Sequence, residues 1–517
     1  MKRSVFSGLF IFVLLTALLF RLPQLDRRPM HHDEANQAVK FGNLLETGQY
    51  RYDKFDHHGP SLYYLSLPVA RLLSHTTLAS LTEKTLRLVP AIFGIGLLLL
   101  LLLTKGGMRR EAVLFSGLFA AISPAMVYYS RFYIQETLLV FFVVGLLIIC
   151  WRYICRPSYG WAVAAGFFAG MMYATKETSI ILFGAVGMAV LFSLLFQNKD
   201  KDKKMGPAKK LFGHGCAGLG VSILISWIFY SSFFKNPSGL WDSIRSFGLY
   251  FVKAGQPEWH AHPWYYYIKM LFFSKYGSGP VWSEALLLGL AVLGCVAAFK
   301  KNDRNESIFN FSKFIVVYTL ITLFVYSLIP YKTPWNLLPF YIGVILLAGG
   351  GAAFFLRRAK KPVLQWGKIF ILCLGIIHLG VQSYRASFVF HADPQNPYVY
   401  AHTSEDFLNL IQRLKDVSAV HPEGKDVQIK VITSPYETWP LPWYLRGFSR
   451  VGYWQDMENA GDLENVPLLI MSLDQLDKLP PQIVKNYQSE FYGLRPEVLL
   501  TIHIHRDLWK KFMEQRK

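Results

Sequence analysis

Residues 27–65 read RRPMHHDEANQAVKFGNLLETGQYRYDKFDHHGPSLYYL. The stretch follows directly on a charge-free run, IFVLLTALLF, at residues 11–20. An apolar segment that opens at once into paired histidines, an acidic pair and Asp-His-His-Gly-Pro reads as a membrane helix leading into a chemically loaded loop. Other charge-free runs, such as AIFGIGLLLLLLLT at 91–104, recur along the chain. Charged residues make up 17% of the sequence, against about a quarter in ordinary soluble domains, and hydrophobic residues make up 52%. The fold class expected is a polytopic α-helical membrane protein.

Windowed hydropathy predicts eleven crossings, at 4–20, 86–103, 112–129, 136–151, 161–174, 178–196, 213–232, 281–299, 313–329, 337–356 and 367–385. The net charge of +20 is scattered in short bursts between these runs. With the N-terminus inside, the loops KGGMRRE, RYICRPSYG, NKDKDKKMGPAKK, KKNDRNES and RRAKKPVLQWGK all fall on the inner side, and all are net basic. That is the positive-inside bias of cytoplasmic loops, not the concentrated patch of a nucleic-acid binder, so no nucleic-acid partner is expected. The first twenty residues resemble a signal peptide but end in Phe-Arg-Leu-Pro without a small-x-small cleavage site, so they read as an uncleaved first helix. The five cysteines lie in or beside apolar runs without metal-ligand spacing.

This threading predicts a multi-pass protein of the cell (inner) membrane with a cytoplasmic N-terminus. It divides the chain into a transmembrane domain at 1–385, with a first extracytoplasmic loop at about 21–85, and an extracytoplasmic domain at 386–517. In the tail, VQIKVITSP, PLLIMSL and VLLTIHIH read as buried strands. SEDFLNLIQRLKDV and LDQLDKLPPQIVKNY read as helices, giving a small α/β domain. No internal repeat is visible, which argues against transporter folds built from mirrored halves.

Every acidic or histidine-rich cluster falls on the predicted outer side. Asp33 is expected to cap an amphipathic helix, EANQAVKFGNLLETG, with Glu34 in its first turn. A carboxylate fixed there can also serve as a base. His32, Asp33 and His58 are residue types that hold a divalent cation, although no helical metal spacing accompanies them. His57 and His58 equally suit hydrogen bonds to phosphate or sugar. Arg131 and Glu136 in SRFYIQE stand at a membrane edge, where charges are costly unless paired or used, although the flanking aromatics alone would make an interfacial belt. Lys176 and Glu177 in TKETS form an ordinary charged turn or, being outside, a phosphate contact. Lys332 in PYKTPWN has the same two readings. QPEWHAHPWYYYIKM at 256–270 reads as an interfacial or re-entrant segment.

These motifs, in this order, resemble the C-type (GT-C) integral-membrane glycosyltransferases, especially the protein-mannosyltransferase and aminoarabinose-transferase type. The resemblance rests on HHDEA after the first helix, YDKFDHHGPSLYYL, SRFYIQE and TKET. PYKTPWN further resembles a bacterial and archaeal subfamily of glycosyltransferases also known as flippase-activity-associated proteins. Where the family usually has Pro-Pro after the acidic pair, Gly59-Pro60 stands here. The resemblance covers the membrane part and not the tail.

It implies transfer of a sugar from a polyprenyl-phosphate donor to an acceptor hydroxyl of a glycan, lipid or protein, with inversion. Asp33 would be the base and Glu34 would orient substrate. Arg131, Lys176 and Lys332 would neutralise the leaving phosphate, and Glu136 would complete the charge network. Glu177, His57 and His58 belong to the same substrate-binding set. Membrane lipids are implied partners, and a divalent cation is the one cofactor considered. No nucleotide-binding motif is present. The alternatives are a flippase or transporter of lipid-linked sugar, and a non-catalytic accessory subunit.

Overall fold

The computed structural model describes residues 1–516 except 56–57, 105, 196–207, 255–259, 301–310 and 358–360, and, for side chains, also 208 and 249–254. His57 and much of three of the basic inner loops therefore lie outside the described residues.

All eleven expected crossings coincide with helices. Among the described residues, seven helices are long and apolar enough to cross a bilayer, and a bent pair makes an eighth. The bent pair is Arg110–Ile122 and Pro124–Ser130, turned by 59°. Pro124 starts the second half, and the Ser123 hydroxyl accepts from the Met126 N–H. The Ser179–Leu195 and Ala285–Phe299 helices are apolar but shorter, and Tyr159–Tyr173 has only 15 residues. The expected count of eleven thus rests on segments that fall short of the usual 20 residues.

Burial separates a centre from a rim. The Pro334–Arg357 helix has 89% of its apolar window buried and Glu136–Cys155 has 72%, whereas Lys209–Tyr230 and Pro362–Val389 have 11% each. The Ala285–Phe299 helix meets the central helix through Gly294 and Gly351, where an added Cβ would run into Leu347 O and Leu290 O. Small residues at that crossing let the two backbones approach closely.

Further elements rest on one end of this bundle. They are the amphipathic helix His32–Thr47, the Ser61–Leu72 helix and the seven-residue Tyr266–Phe272 helix, which leaves Trp264, Tyr265 and Phe272 exposed in the manner of an interfacial segment. Beyond Val389 the chain crosses one end of the bundle as a strap. Trp282 Nε1 donates to Gln395 O at 2.8 Å and Tyr129 Oη to Tyr398 O at 2.9 Å. It then forms the tail domain.

That domain holds a five-stranded sheet: β1 (Ile429–Ile432), β2 (Val451–Trp454), β3 (Leu468–Ser472), β4 (Tyr487–Arg495) and β5 (Val498–His505), in the order β2-β1-β3-β5-β4. β1 pairs in parallel with β2 and β3, and β5 pairs antiparallel with β3 and β4. The Asp406–Ala419 helix buries Phe407, Leu410, Leu414 and Val417 against one face, over Ile429, Val431 and Ile470. The three expected strands form β1, β3 and β5. The expected second helix is broken into Leu473–Leu476 and Pro481–Lys485, because Pro480-Pro481 cannot continue a helix.

Tail and first loop are joined beside the acidic pair. Thr403 Oγ1 donates to Met30 O at 2.7 Å, and the Met30 N–H donates to Tyr444 Oη at 2.9 Å. Trp443 Nε1 donates to Glu83 Oε1 at 2.8 Å, and Arg446 to Leu81 O at 2.8 Å.

Candidate active site

The acidic pair sits in the first turn of the His32–Thr47 helix, but Asp33 is not its cap. His31 takes that position: its Nδ1 accepts from the Asp33 N–H at 3.0 Å, and its own N–H donates to Glu34 Oε2 at 3.1 Å. His31 is itself fixed from above, with Nε2 3.1 Å from Tyr400 O and its ring stacked on His402. Burial holds the His31 imidazole below its ordinary pKa, the charges of Asp33 and Glu34 opposing, so it is neutral and able to accept.

Glu34 is fully buried inside an arginine clamp. Arg87 donates Nε to Oε1 at 2.8 Å and Nη2 to Oε2 at 2.7 Å. The Tyr133 N–H donates to Oε1 at 2.8 Å, and Arg28 Nη2 stands 3.5 Å away. Arg87 also donates to Leu25 O, Arg28 O and Pro29 O, drawing the loop around itself. Burial alone would raise the Glu34 pKa. The charges of Arg87 and Arg28, with the hydrogen bonds from Arg87 and Tyr133, outweigh it and hold the carboxyl at about 2. Both Glu34 oxygens are thus enclosed by protein donors, and the carboxylate pins the loop.

Asp33 has a different environment. Its side chain is 32% exposed, and one oxygen lies 3.8 Å from His31 Nδ1. Its charge reaches His260 and Tyr331 on two other loops. Burial and then the Asp33 charge push the Tyr331 hydroxyl up to about 12, with Glu136 contributing from further off. One turn of helix therefore carries a sealed carboxylate and an accessible one, the sealed one fixing the place of the other.

The remaining expected residues divide. Lys176 and Glu136 are brought together: Nζ donates to Glu136 Oε1 at 2.5 Å and stands 3.4 Å from Asn336 Oδ1. Both are buried, joining the ends of three helices. Glu177 is also buried, facing His58 Nδ1 at 2.9 Å and Tyr52 Oη at 3.0 Å. Burial works to raise the Glu177 pKa, but the His58 hydrogen bond and charge and the Tyr52 hydroxyl bring it below the usual range. Gly59 lets this docking happen, since an added Cβ would overlap the Ala174 carbonyl. The Ser61 N–H donates to that same oxygen at 3.0 Å.

Arg131 and Lys332 are engaged by backbone carbonyls, and the expected metal set is divided. Arg131 uses its terminal amines on the first helix and the turn after it. It donates to Phe20 O, Arg21 O and Gln24 O, satisfying carbonyls at the end of the first helix that would otherwise lack partners. Lys332 donates to His262 O at 3.1 Å and to Ile329 O, stapling the 260–262 segment to the 329–333 turn. His32, Asp33 and His58 do not converge on a metal: His32 leans on Trp439 while His58 meets Glu177. Among the described residues no cluster of three histidine, cysteine, aspartate or glutamate side chains is placed to hold an ion.

Two residues went unread in the sequence. Arg87 lies in the apolar run of a predicted crossing, and a lone arginine there is itself a signal of a buried carboxylate partner. Glu284 is buried without a cation and accepts from Ser123 Oγ, the Ala125 N–H, Tyr341 Oη and Tyr398 Oη, tying the strap to the bundle. Its signal was a lone acid opening the apolar run at 285.

Comparison with known proteins agrees on a class. Residues 62–237 match the family model of the dolichyl-phosphate-mannose-protein mannosyltransferases, a segment that holds SRFYIQE and TKET but begins after the acidic pair. Over 235 residues, 44% of this chain, the sequence is 27% identical to undecaprenyl phosphate-alpha-4-amino-4-deoxy-L-arabinose arabinosyl transferase 1 of Pseudomonas fluorescens. That stretch spans 37% of the relative's length. The fold is that of polytopic GT-C glycosyltransferases. It is similar to ArnT from Cupriavidus metallidurans bound to undecaprenyl phosphate, with a TM-score of 0.64 and 14% identity over 97% of this chain and 98% of that one. It is also similar to the oligosaccharyltransferase of Archaeoglobus fulgidus, with a TM-score of 0.59 and 14% identity over 95% of this chain and 74% of that one.

Proposed function

We propose that the chain transfers a sugar from a polyprenyl-phosphate donor to an acceptor hydroxyl at the outer face of the membrane, with Asp33 as general base. The observation that carries this reading is the pairing of an accessible carboxylate with a buried, clamped one in a single helical turn. Catalysis by a base needs a carboxylate held in place yet open to substrate. Asp33 meets both conditions and Glu34 supplies the first.

In the proposed step the acceptor oxygen attacks the anomeric carbon as Asp33 takes its proton. A carbon–oxygen bond to the acceptor forms while the bond to the donor phosphate breaks. Polyprenyl phosphate leaves with the electron pair, and the anomeric centre inverts. Lys176 supplies positive charge near the leaving phosphate, and Glu136 holds the ammonium in place. Tyr331 and His260 lie close enough to feel the Asp33 charge. The donor's chain would reach it through the bundle, so no nucleotide sugar is required. The matching family, the arabinosyl transferase relative and the ArnT-like fold support the donor class.

The test is sugar transfer in proteoliposomes from a panel of radiolabelled polyprenyl-phosphate sugars, with label followed in acceptor and in each leaflet. Label leaving the lipid for an acceptor is the expected result. Label that stays on the lipid but changes leaflet would replace this reading with a flippase, and label that does neither would leave the chain an accessory subunit.

A further inference from the structure

Behind the Glu34 clamp, on the side where the chain leaves the first helix, lies a narrow open cleft lined by Gln24, Leu25, Arg27, Arg28, Arg87, Arg131, Ser387 and His391. Its inner space is about 10 Å³, room for one oxygen-sized group, with the rest open to the outside. Four arginines face it, and Arg21 lies near enough to act on Arg131. The carboxylate known to answer them is Glu34, which Arg87 and Arg28 share. Burial, and then the charges of Arg28, Arg87 and Arg21, hold the Arg131 guanidinium below its ordinary range. Positive charge is in excess here.

The cleft also holds idle hydrogen-bonding groups. Arg28, Ser387 and His391 are each more than nine-tenths buried. Among the described residues, Arg28 Nε, Ser387 Oγ and both ring nitrogens of His391 have no hydrogen-bond partner. Glu405 comes within 3.4 Å of His391 Nε2 without bonding geometry, and its side chain is mostly exposed. Buried polar atoms without partners are costly, on the order of 1–3 kcal/mol each. Neither the clamp nor the proposed transfer step uses them.

We propose that this cleft is a second anion site, which takes a phosphoryl oxygen from a phosphate group whose remainder lies outside its mouth. The guanidiniums supply the charge. Ser387 Oγ, a His391 N–H and Arg28 Nε supply the directed donors, in the charge-assisted arrangement that favours phosphate. Two sources carry this chemistry: free phosphate, and the headgroup of an anionic phospholipid. The helix ends that build the cleft also bear exposed Leu19, Tyr384 and Val389, as a headgroup site at the bilayer edge would require. The inference does not depend on the transfer reaction.

The test is thermal unfolding of the full chain in dodecyl maltoside, with inorganic phosphate or phosphatidylglycerol added and chloride at matched ionic strength as control. Wild type should rise by about 2 °C in at least one of them. The double variant Ser387→Ala/His391→Leu should lose that rise. Arg27→Gln, at an exposed position, should lose at least half of it and guards against a folding defect in the double variant. A rise with inorganic phosphate identifies a free anion, and a rise with phosphatidylglycerol alone identifies the headgroup. No rise with either, or a rise that both variants keep, overturns the site.

Discussion

The stretch after the first helix contains two clusters of nearly the same composition, His31-His32-Asp33-Glu34 and Asp56-His57-His58. Their described parts have opposite fates. In the first, a helix start turns one carboxylate inward to an arginine and leaves the next one 32% exposed. In the second, His58 turns toward a neighbouring loop and meets a glutamate that is itself buried. The difference lies in local backbone. A helix sends adjacent residues in different directions about its axis, so one of a pair can be sealed and its neighbour left open. The described part of the second cluster passes Gly59, where an added Cβ would meet the Ala174 carbonyl, and lays His58 against the buried Glu177. Acid and histidine content marks where these loops gather; the element beneath decides which group stays available.

The contrast can be broken most forcefully at Glu34. Glu34→Gln removes the charge from a buried pair and leaves Arg87 uncompensated, which should cost about 3–5 kcal/mol. Chemical or thermal unfolding in detergent reads this directly, and the adjacent Asp33→Asn should leave stability within about 0.5 kcal/mol of wild type. Equal losses at the two positions would erase the distinction between them. Next in size is Gly59→Ala, which forces a methyl group onto a carbonyl and should cost about 1–3 kcal/mol. Limited proteolysis of the 50–60 segment should then become faster.

The smallest effect is on pH. Glu34 and Glu177 both have folded-state pKa values below their ordinary ones. Each therefore contributes stability that is complete above about pH 4.3 and is lost as pH falls, through about 2 for Glu34. Glu177→Gln should flatten the fall of the unfolding midpoint between those limits without changing it near neutrality by more than the lost hydrogen bonds, about 1–2 kcal/mol. A wild-type midpoint that is level over this range would contradict both assignments.

How far the sequence reached follows from what each feature depends on. Helices and their order were legible because bilayer burial writes itself as charge-free length. β1, β3 and β5 were legible because they carry apolar runs. β2 and β4 were not: β2 is four residues with a glycine on an edge, and β4 is an edge strand of largely polar and aromatic residues, YQSEFYGLR. Asp33, Glu34, Glu136, Lys176 and Glu177 were found as residues, because charge at a membrane edge is costly and therefore conspicuous. Their partners were not readable. Arg87 comes to Glu34 from 53 positions away, and Lys176 reaches Glu136 across 40. Arg131 and Lys332 looked like phosphate ligands for the same reason that they satisfy carbonyls. A cation at a helix end suits either partner, and only the fold chooses.

The central claim is that Asp33 does chemistry and Glu34 does architecture. The most direct measurement is the initial rate of sugar transfer by Asp33→Asn and wild type in the same proteoliposomes, with unfolding midpoints recorded for both. The account predicts a rate lower by about 10²–10⁴-fold, the contribution of a positioned general base, at an unchanged midpoint. Transfer at the wild-type rate by a folded Asp33→Asn protein would contradict it.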